Sequence, residues 1–283
     1  MKKYFSFIKF SHTVFALPFA VIGYFLAISK EEYFFSWKIF LLVVACMVCA
    51  RSAAMGFNRF ADRMIDAKNP RTATREIPAG KISSTSAFVF VLFFSFLFVV
   101  ITWFINPLCF YLSPIALIVV LGYSYTKRFT PLAHLFLGLG LSLAPIGAYL
   151  AVTGTFSLLP VLFSFVVMSW VSGFDIIYAL QDEEFDRKEK LFSIPVWLGK
   201  KNALTFSRCL HLISASVMLI AGYSGNFGIS YWIGAFIFIM LLIYQQKLVR
   251  PEDLSKVNIA FATTNGIASI VFSIFVLTDL YLK

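Results

Sequence analysis

Charged residues are scarce in this sequence. Only 13% of its 283 residues are Asp, Glu, Lys or Arg, whereas an ordinary soluble domain carries about 25%. Hydrophobic residues make up 60%, and the mean hydropathy is +0.84. A water-soluble fold of this size could not bury so much apolar surface, because the buried fraction rises only slowly with chain length. The composition therefore excludes a soluble globular protein and predicts one whose excess apolar surface faces lipid.

Cysteine is also scarce, and its placement excludes a disulfide framework. The four cysteines lie in or beside apolar segments, and Cys46 and Cys49, despite their CxxC spacing, have no other metal-type ligands near them. We interpret all four as packing residues. The apolar runs lack the alternation of membrane β-strands, which argues against a barrel. No small-residue cleavage site follows the start of the chain, so we expect the first apolar segment to be retained.

Long apolar runs are what the sequence has instead. A helix needs roughly 17–25 residues to cross a hydrocarbon core of about 30 Å. The candidate spans are residues 12–28, 38–57, 86–105, 107–122, 133–151, 156–179, 207–223, 228–246 and 258–279. The third and fourth are so close that they must form a helical hairpin. The predicted fold class is all-α: a polytopic membrane protein of about nine transmembrane helices, with residues 1–283 as a single domain.

Basic residues are distributed unevenly between the two predicted membrane faces. The net charge is +10 and the pI near 9.5, but the face opposite the N-terminus holds only Lys30, Lys38 and Lys283. Cationic loops stay cytoplasmic. We therefore predict a bacterial inner membrane protein with a cytoplasmic N-terminus and an external C-terminus. The positive charge is a topology signal rather than a sign of nucleic-acid binding.

Acidic residues form two clusters. Of the fourteen in the chain, most lie around Asp62 and Asp66 or around Asp182 and Asp186, each time at the cytoplasmic end of a predicted span. The second pair follows the first by 120 residues. The elements Ile77-Pro78 and Gly80-Lys81 recur downstream as Ile194-Pro195 and Gly199-Lys200. The pattern predicts a parallel repeat, with halves at roughly residues 10–130 and 131–247 and a final helix at 258–279.

The spacing within each pair indicates a divalent cation. On a helix, residues four apart lie on one face about 6 Å apart along the axis. Two ionised carboxylates at that separation repel each other by roughly 3 kcal/mol at an effective dielectric constant of 20. Asn58, four residues before Asp62, adds a neutral oxygen, and oxygen donors without His or Cys favour Mg²⁺. Because Arg and Lys residues surround both pairs, the pattern suits a diphosphate bridged by metal ions.

These motifs resemble those of the UbiA-type intramembrane prenyltransferases. Residues 58–80, NRFADRMIDAKNPRTATREIPAG, are similar to the first signature of that family, and residues 178–186, YALQDEEFD, resemble the second. Residues 123–128, YSYTKR, followed by Thr130-Pro131, resemble its basic loop. The likeness extends over the whole chain, including the number of helices. One departure is Gln181, where some members carry Lys.

The resemblance implies a ring of helices around a central cavity, with the two Asp motifs facing each other across its cytoplasmic mouth. Asp62, Asp66, Asp182 and Asp186 would hold two Mg²⁺ ions on the diphosphate and form the catalytic set, with Asn58 as a further metal ligand. The implied substrate-binding residues are Asn58, Arg59, Tyr125, Lys127, Arg128 and Tyr178.

The implied activity is Mg²⁺-dependent transfer of a polyprenyl chain from its diphosphate to a ring carbon of an aromatic quinone precursor. The allylic C–O bond ionises, the ring attacks the prenyl cation, and loss of a ring proton restores aromaticity. The tail would occupy an apolar groove, for which the 34 Phe residues offer walls. Residues 9–18 and 71–76 are most similar to members acting on 4-hydroxybenzoate in ubiquinone synthesis. The same reaction on 1,4-dihydroxy-6-naphthoate, in menaquinone synthesis, is an open alternative.

A tandem-repeat membrane transporter is the alternative from another class. Its ion site would lie near mid-membrane and its helices would be interrupted by Gly or Pro, and neither feature is present. A scaffold without activity would leave the paired carboxylates unexplained.

We expect lipid as the surroundings and no obligate protein partner. His12, His134 and His211 are interpreted as helix-end or packing residues, and Asp175 is placed either near the acceptor or in a buried hydrogen bond.

Overall fold

The computed structural model describes residues 6–8 and 16–282. The long helices are α1 (Leu17–Ile28), α2 (Trp37–Ala61), α4 (Ser84–Trp103), α5 (Pro107–Thr126), α6 (Ala133–Thr153), α7 (Leu158–Ala179), α9 (Ile194–Ser224), α10 (Ile229–Leu248) and α11 (Asn265–Leu282). Two short helices, α3 (Arg63–Lys68) and α8 (Glu183–Lys188), follow α2 and α7. The described part contains no β-strand, so the all-α prediction is confirmed. His12 and the start of the first predicted span lie outside the described residues.

Apolar length identifies the membrane spans. Within residues 6–8 and 16–282, eight helices are long and apolar enough to cross a membrane, and α1 is a shorter apolar helix of twelve residues. Most begin and end within a few residues of the predicted spans, because continuous apolar composition decides both. The chain is a multi-pass membrane protein.

The predicted span 207–223 is too short, because α9 begins at Ile194. Lys200 and Lys201 lie near its start, so this part of the helix is not continuously apolar and the prediction left it out. Gly199, with φ +74°, interrupts the helix, and Gly80, its counterpart in the sequence repeat, has φ +69°. Positive φ values are accessible to glycine at little cost. Both glycines of the recurring Gly-Lys pair thus have a positive φ, Gly80 ahead of α4 and Gly199 within α9.

The long helices form a closed ring. Each packs against the next along the chain, and α11 returns to pack against α1. The most extensive contacts join α7 to α6 and α9. Trp170, on α7, lies at the centre of the largest apolar cluster and is fully buried among Phe19, Phe238 and Phe174. The helical ring predicted from the resemblance is confirmed.

Buried polar groups fix the last helices. Trp170 Nε1 donates to Asn265 Oδ1 at 3.0 Å. Asn265 directly follows a π-helical segment, Ile259–Thr264. The buried Asp279 carboxylate accepts from the backbone N–H groups of Gly228 (2.8 Å) and Tyr231 (3.1 Å) at the start of α10. A carboxylate there satisfies unpaired N–H groups and the positive end of the helix dipole.

Candidate functional site

A polar cavity of about 700 Å³ opens at one end of the ring. Its wall is formed by the ends of α2, α5 and α7, the start of α6, and the loop that follows α3. The four predicted motif carboxylates, Asp62, Asp66, Asp182 and Asp186, all line it. The ring therefore brings together two acidic clusters that lie 120 residues apart in the sequence.

The first acidic motif continues the helical path of α2. The Asp66 N–H donates to the Asp62 carbonyl at 2.7 Å, so the two carboxylates keep the four-residue helical spacing. Both residues are buried, with 2% and 4% of their surface exposed. The Asn58 amide lies beside them, and its Nδ2 donates to Asp62 Oδ2 at 3.1 Å.

The second acidic motif begins where α7 ends. A single 3₁₀ turn, Leu180–Asp182, is followed by α8, which carries Asp186. Tyr178 lies one turn before Asp182 and lines the same cavity. Each motif is thus a short helical extension at the end of a long membrane helix.

Basic side chains offset the repulsion within the first motif. Lys127 Nζ lies 2.7 Å from Asp62 Oδ2, and Arg75 Nη1 lies 2.7 Å from Asp66 Oδ1. Burial raises the pKa of Asp62 above its ordinary value, while Lys127 opposes that rise and Asp66 adds to it. The four-residue spacing alone predicts that a metal ion offsets this repulsion. In the structure, ion pairs within the chain offset part of it.

The two motifs are joined by the loop after α3. The Arg71 guanidinium donates to both carboxylate oxygens of Asp182, and its Nη1 donates to the Tyr178 hydroxyl at 2.8 Å. Asn69 Nδ2 also donates to Asp182 Oδ1, at 3.0 Å. At the rim, Lys68 Nζ lies 2.6 Å from Glu189 Oε2. A loop of the first half therefore holds the second motif across the cavity mouth.

Two arginines in the cavity wall form no ion pair among the described residues. Arg59 is 4% exposed, and its Nε and Nη1 atoms are buried without a hydrogen bond. Arg51 lies two turns earlier on α2, and its Nε is likewise buried and unbonded. A buried cation without a partner is costly unless a ligand supplies the opposite charge. Both guanidinium groups are therefore candidates for binding anionic substrate groups.

Most of the sequence-predicted substrate residues line the cavity, but two do not. Asn58, Arg59, Lys127 and Tyr178 are on its wall. Tyr125 is 43% exposed and packs against Phe57. Arg128 donates to the Ala61 carbonyl at 2.7 Å and supports the first motif from outside the lining. Tyr123 takes the place expected for Tyr125, because residues two apart on a helix point about 200° apart.

Sequence reasoning missed two further cavity residues, Arg51 and His134, and left Asp175 either near the acceptor or in a buried hydrogen bond. Arg51 had a signal, since it is a basic residue in the middle of a predicted span, and such residues are usually functional. His134 and Asp175 also line the cavity, with His134 Nδ1 2.7 Å from Asp175 Oδ2. They come from α6 and α7, and no local pattern in the sequence links them.

The donor set fits a hard divalent cation that shares its ligands with a substrate. Among the described residues, no group of three or more His, Cys, Asp or Glu side chains forms a ready-made metal site. Mg²⁺ does not need one, because it binds through one or two carboxylates and completes its shell with water and phosphate oxygens. The oxygen donors on the cavity wall include the four motif carboxylates and the Asn58 amide.

An apolar cavity of about 350 Å³ adjoins the polar one. Arg51, Met55, Tyr123, Leu137 and Leu141 line both, so the two spaces meet deep in the ring. Among the described residues the wall is mainly aliphatic, and Phe98 and Phe156 are the two Phe residues that contribute to it. The expectation of Phe-rich walls is wrong for this cavity, since much of the aromatic content packs around Trp170 or faces outward.

Comparison with known proteins decides the family. The sequence profile of the UbiA prenyltransferase family matches residues 16–271. The chain belongs to the UbiA prenyltransferase family. The resemblance drawn from the motifs is confirmed, the protein is a prenyltransferase, and the transporter alternative is removed.

Similar bacterial proteins include two that are named 4-hydroxybenzoate octaprenyltransferase. The protein from Tolumonas auensis is 29% identical over 238 residues, which are 84% of this chain and 83% of that protein. The protein from Vibrio parahaemolyticus is 32% identical over 242 residues, or 83% of each chain.

Solved structures share the fold. The apo structure of a UbiA homolog from Aeropyrum pernix K1 matches with a TM-score of 0.85 at 32% identity, covering 95% of this chain and 98% of that one. A UbiA homolog from Archaeoglobus fulgidus, bound to DMAPP and Mg²⁺, matches with a TM-score of 0.77 at 19% identity, covering 99% of this chain and 100% of that one. At that identity, the second likeness shows the fold alone.

The pairing of Lys127 with Asp62 predicts a stability effect. Lys127→Met leaves a buried carboxylate without its nearest cation, which should lower the free energy of unfolding by about 1–3 kcal/mol. Adding Asp62→Asn should recover part of that loss, because the amide needs no counter-charge. Thermal unfolding in detergent with a metal chelator measures both effects.

Lys188→Met is the control for this cycle, since Lys188 is exposed and its loss should leave the melting temperature unchanged. Strictly additive effects of Lys127→Met and Asp62→Asn would show that the two side chains do not interact.

Proposed function

We propose that this protein transfers a polyprenyl chain from an allylic polyprenyl diphosphate to a ring carbon of an aromatic acid, with Mg²⁺ as cofactor. The observation that carries the proposal is a polar cavity that combines two carboxylate pairs with several cations and adjoins an apolar cavity. The polar part suits the diphosphate and the apolar part suits the prenyl chain.

The metal ligands in this proposal are Asp62, Asp66, Asp182 and Asp186, with Asn58 assisting. Mg²⁺, when bound there, would neutralise the negative charge that develops on the diphosphate as it leaves. Carboxylates that hold a metal ion would release their present partners, Lys127, Arg75 and Arg71. Those basic groups are then close enough to donate to diphosphate oxygens, for which a guanidinium is well shaped. Charge balance in the cavity is thereby kept.

The roles of the chain's own residues follow from their surroundings. Arg59, buried and with no ion pair among the described residues, adds a donor for the diphosphate. The aliphatic wall of the deeper cavity binds the prenyl chain and excludes water from the allylic carbon. An excluded-water site protects a carbocation from hydrolysis and strengthens the electrostatic stabilisation around it.

The position of Arg51 favours an acceptor substrate that carries a carboxylate. It lies where the polar and apolar cavities meet, without an ion pair among the described residues. An aromatic carboxylate bound to Arg51 would lie with its ring near the junction where the diphosphate end of the prenyl chain is expected. The names of the bacterial relatives favour 4-hydroxybenzoate, and hence ubiquinone synthesis, as the assignment. 1,4-Dihydroxy-6-naphthoate also carries a carboxylate, so it stays the alternative.

The proposed organisation is a single domain, residues 1–283, made of two parallel halves at roughly residues 10–130 and 131–247 plus a last helix at 258–279. The positive φ of Gly80 and Gly199 at equivalent places supports the repeat.

The proposed setting is a bacterial inner membrane. The cavity mouth and the N-terminus would be cytoplasmic and the C-terminus outside, as the distribution of Lys and Arg favours.

Asp62→Asn and Asp182→Asn should each lower Mg²⁺-dependent prenyl transfer by about 100-fold or more, because charge stabilisation of the leaving group is lost. The assay uses purified protein in detergent, a polyprenyl diphosphate and 4-hydroxybenzoate, and follows both diphosphate and prenylated product. Glu184→Gln, in the same segment but with an exposed side chain, should stay active. Full activity of both Asp variants would rule out the metal assignment.

Arg51→Met should raise the KM for 4-hydroxybenzoate by about 10- to 100-fold, the equivalent of one charge-assisted hydrogen bond. The KM for the prenyl diphosphate should stay the same. Arg63→Met, which removes a cation outside the cavity lining, is the matched control. An unchanged KM for the acid in Arg51→Met would contradict the acceptor assignment.

Single cysteines introduced at Ala67, Glu184, Glu31 and Ser224 test both orientation and repeat. All four positions are exposed. In a background without the native cysteines, a membrane-impermeant maleimide should label positions 31 and 224 in intact spheroplasts. Positions 67 and 184 should react only after the membrane is opened. Labelling of 67 and 184 from opposite sides would disprove the parallel repeat.

A further inference from the structure

The proposed alkylation needs a group to take up the ring proton. When the acceptor carbon bonds to the prenyl cation, it still carries its hydrogen, and a base must remove that hydrogen to restore aromaticity. A side-chain base must lie on the cavity wall and must have a free lone pair. This requirement selects among the titratable side chains described in the cavity.

The motif carboxylates meet this requirement poorly. Asp62, Asp66 and Asp182 each bind a basic side chain in the structure, and the proposed function assigns them and Asp186 to metal ions. A carboxylate held by cations is a weak base, because those cations stabilise its charged form. The Tyr178 hydroxyl already accepts from Arg71.

His134 does have a free lone pair. It is 6% exposed, and its Nδ1 lies 2.7 Å from Asp175 Oδ2. An ionised carboxylate can only accept a hydrogen bond, so the shared proton is on Nδ1 and the lone pair is on Nε2. Nε2 is buried and has no hydrogen-bond partner among the described residues. Such an unsatisfied buried nitrogen is costly and rare.

The surroundings of His134 suit a group that becomes positively charged. Asp175 lines the same cavity and would form an ion pair with the imidazolium. Asp186, on α8, is also close enough to interact with His134 electrostatically. Of the histidines in the described chain, His134 lines the cavity, whereas His211 is bonded to Gln246 elsewhere in the ring.

We propose that His134 Nε2 accepts the ring proton of the acceptor and that Asp175 acts as its positioning residue; this inference rests on the proposed function. The prenyl C–O bond breaks, and its electron pair leaves with the diphosphate. The ring supplies the electron pair of the new C–C bond. The ring C–H electrons then return to the ring, and the proton moves to Nε2. Imidazolium releases this proton to water when product leaves.

The decisive variant is His134→Asn. The Asn amide nitrogen can occupy the place of Nδ1 and donate to Asp175, whereas nothing replaces Nε2. The kcat should fall by about 100-fold, a typical contribution of a general base, while the KM for the prenyl diphosphate and the melting temperature stay unchanged. With 4-hydroxybenzoate deuterated ortho to the hydroxyl, the kinetic isotope effect should be larger in the variant than in the unaltered protein.

Two further measurements keep the inference testable if this variant is unstable. His134→Ala should regain activity when imidazole is added, and Asp175→Asn should show a lowered kcat with a raised isotope effect. Unchanged kcat and isotope effect in a folded His134→Asn protein would overturn the assignment, as would an alanine variant that imidazole does not restore. If the unaltered protein prenylates no aromatic acid, the proposed function fails, and the role of His134 fails with it.

Discussion

The pairing of Arg71 with Asp182 joins the two halves of the cavity. Arg71 comes from the loop of the first acidic motif, and Asp182 begins the second. The ion pairs of Asp62 with Lys127 and of Asp66 with Arg75 have the same physical origin. Carboxylates in a largely apolar protein lose their hydration, and a nearby cation must offset that loss. The same requirement makes the cavity receptive to other cations and to an anionic substrate that occupies the released basic groups.

The polar and apolar parts of the interior meet at a narrow set of residues. Arg51 and Tyr123 line both cavities, and His134 lies on the polar wall. A prenyl diphosphate is itself divided into a charged head and an apolar chain, so its reacting carbon is expected at this junction. Proximity of two bound substrates supplies much of the rate enhancement in such reactions. The helix ring thus acts mainly by positioning, with charges at one end and aliphatic side chains behind them.

Local patterns in the sequence predicted the fold and the two acidic motifs well. Continuous apolar runs decide where membrane helices lie, and the failure at α9 arose because Lys200 and Lys201 occupy its first turns. The four-residue spacing of Asp62 and Asp66 is a local property, and the structure keeps it.

The partners of these residues could not be predicted in the same way. Arg71 binds Asp182, 111 positions away, and His134 binds Asp175, 41 positions away. Such pairs depend on how the helices pack, which no local pattern records. Helical geometry shows that Tyr123 and Tyr125 point in different directions. Which of the two faces the cavity depends on the orientation of α5, which the sequence does not give.

The central claim is that the two acidic motifs form one cation site around a diphosphate. A structure with Mn²⁺ in place of Mg²⁺, together with a prenyl thiodiphosphate that ionises slowly, tests it most directly. The account predicts anomalous scattering peaks in contact with carboxylates of both motifs, and Arg71 released from Asp182 to the diphosphate. Peaks on only one motif, or a bound diphosphate with the Arg71–Asp182 pair intact and no metal between the motifs, would contradict it.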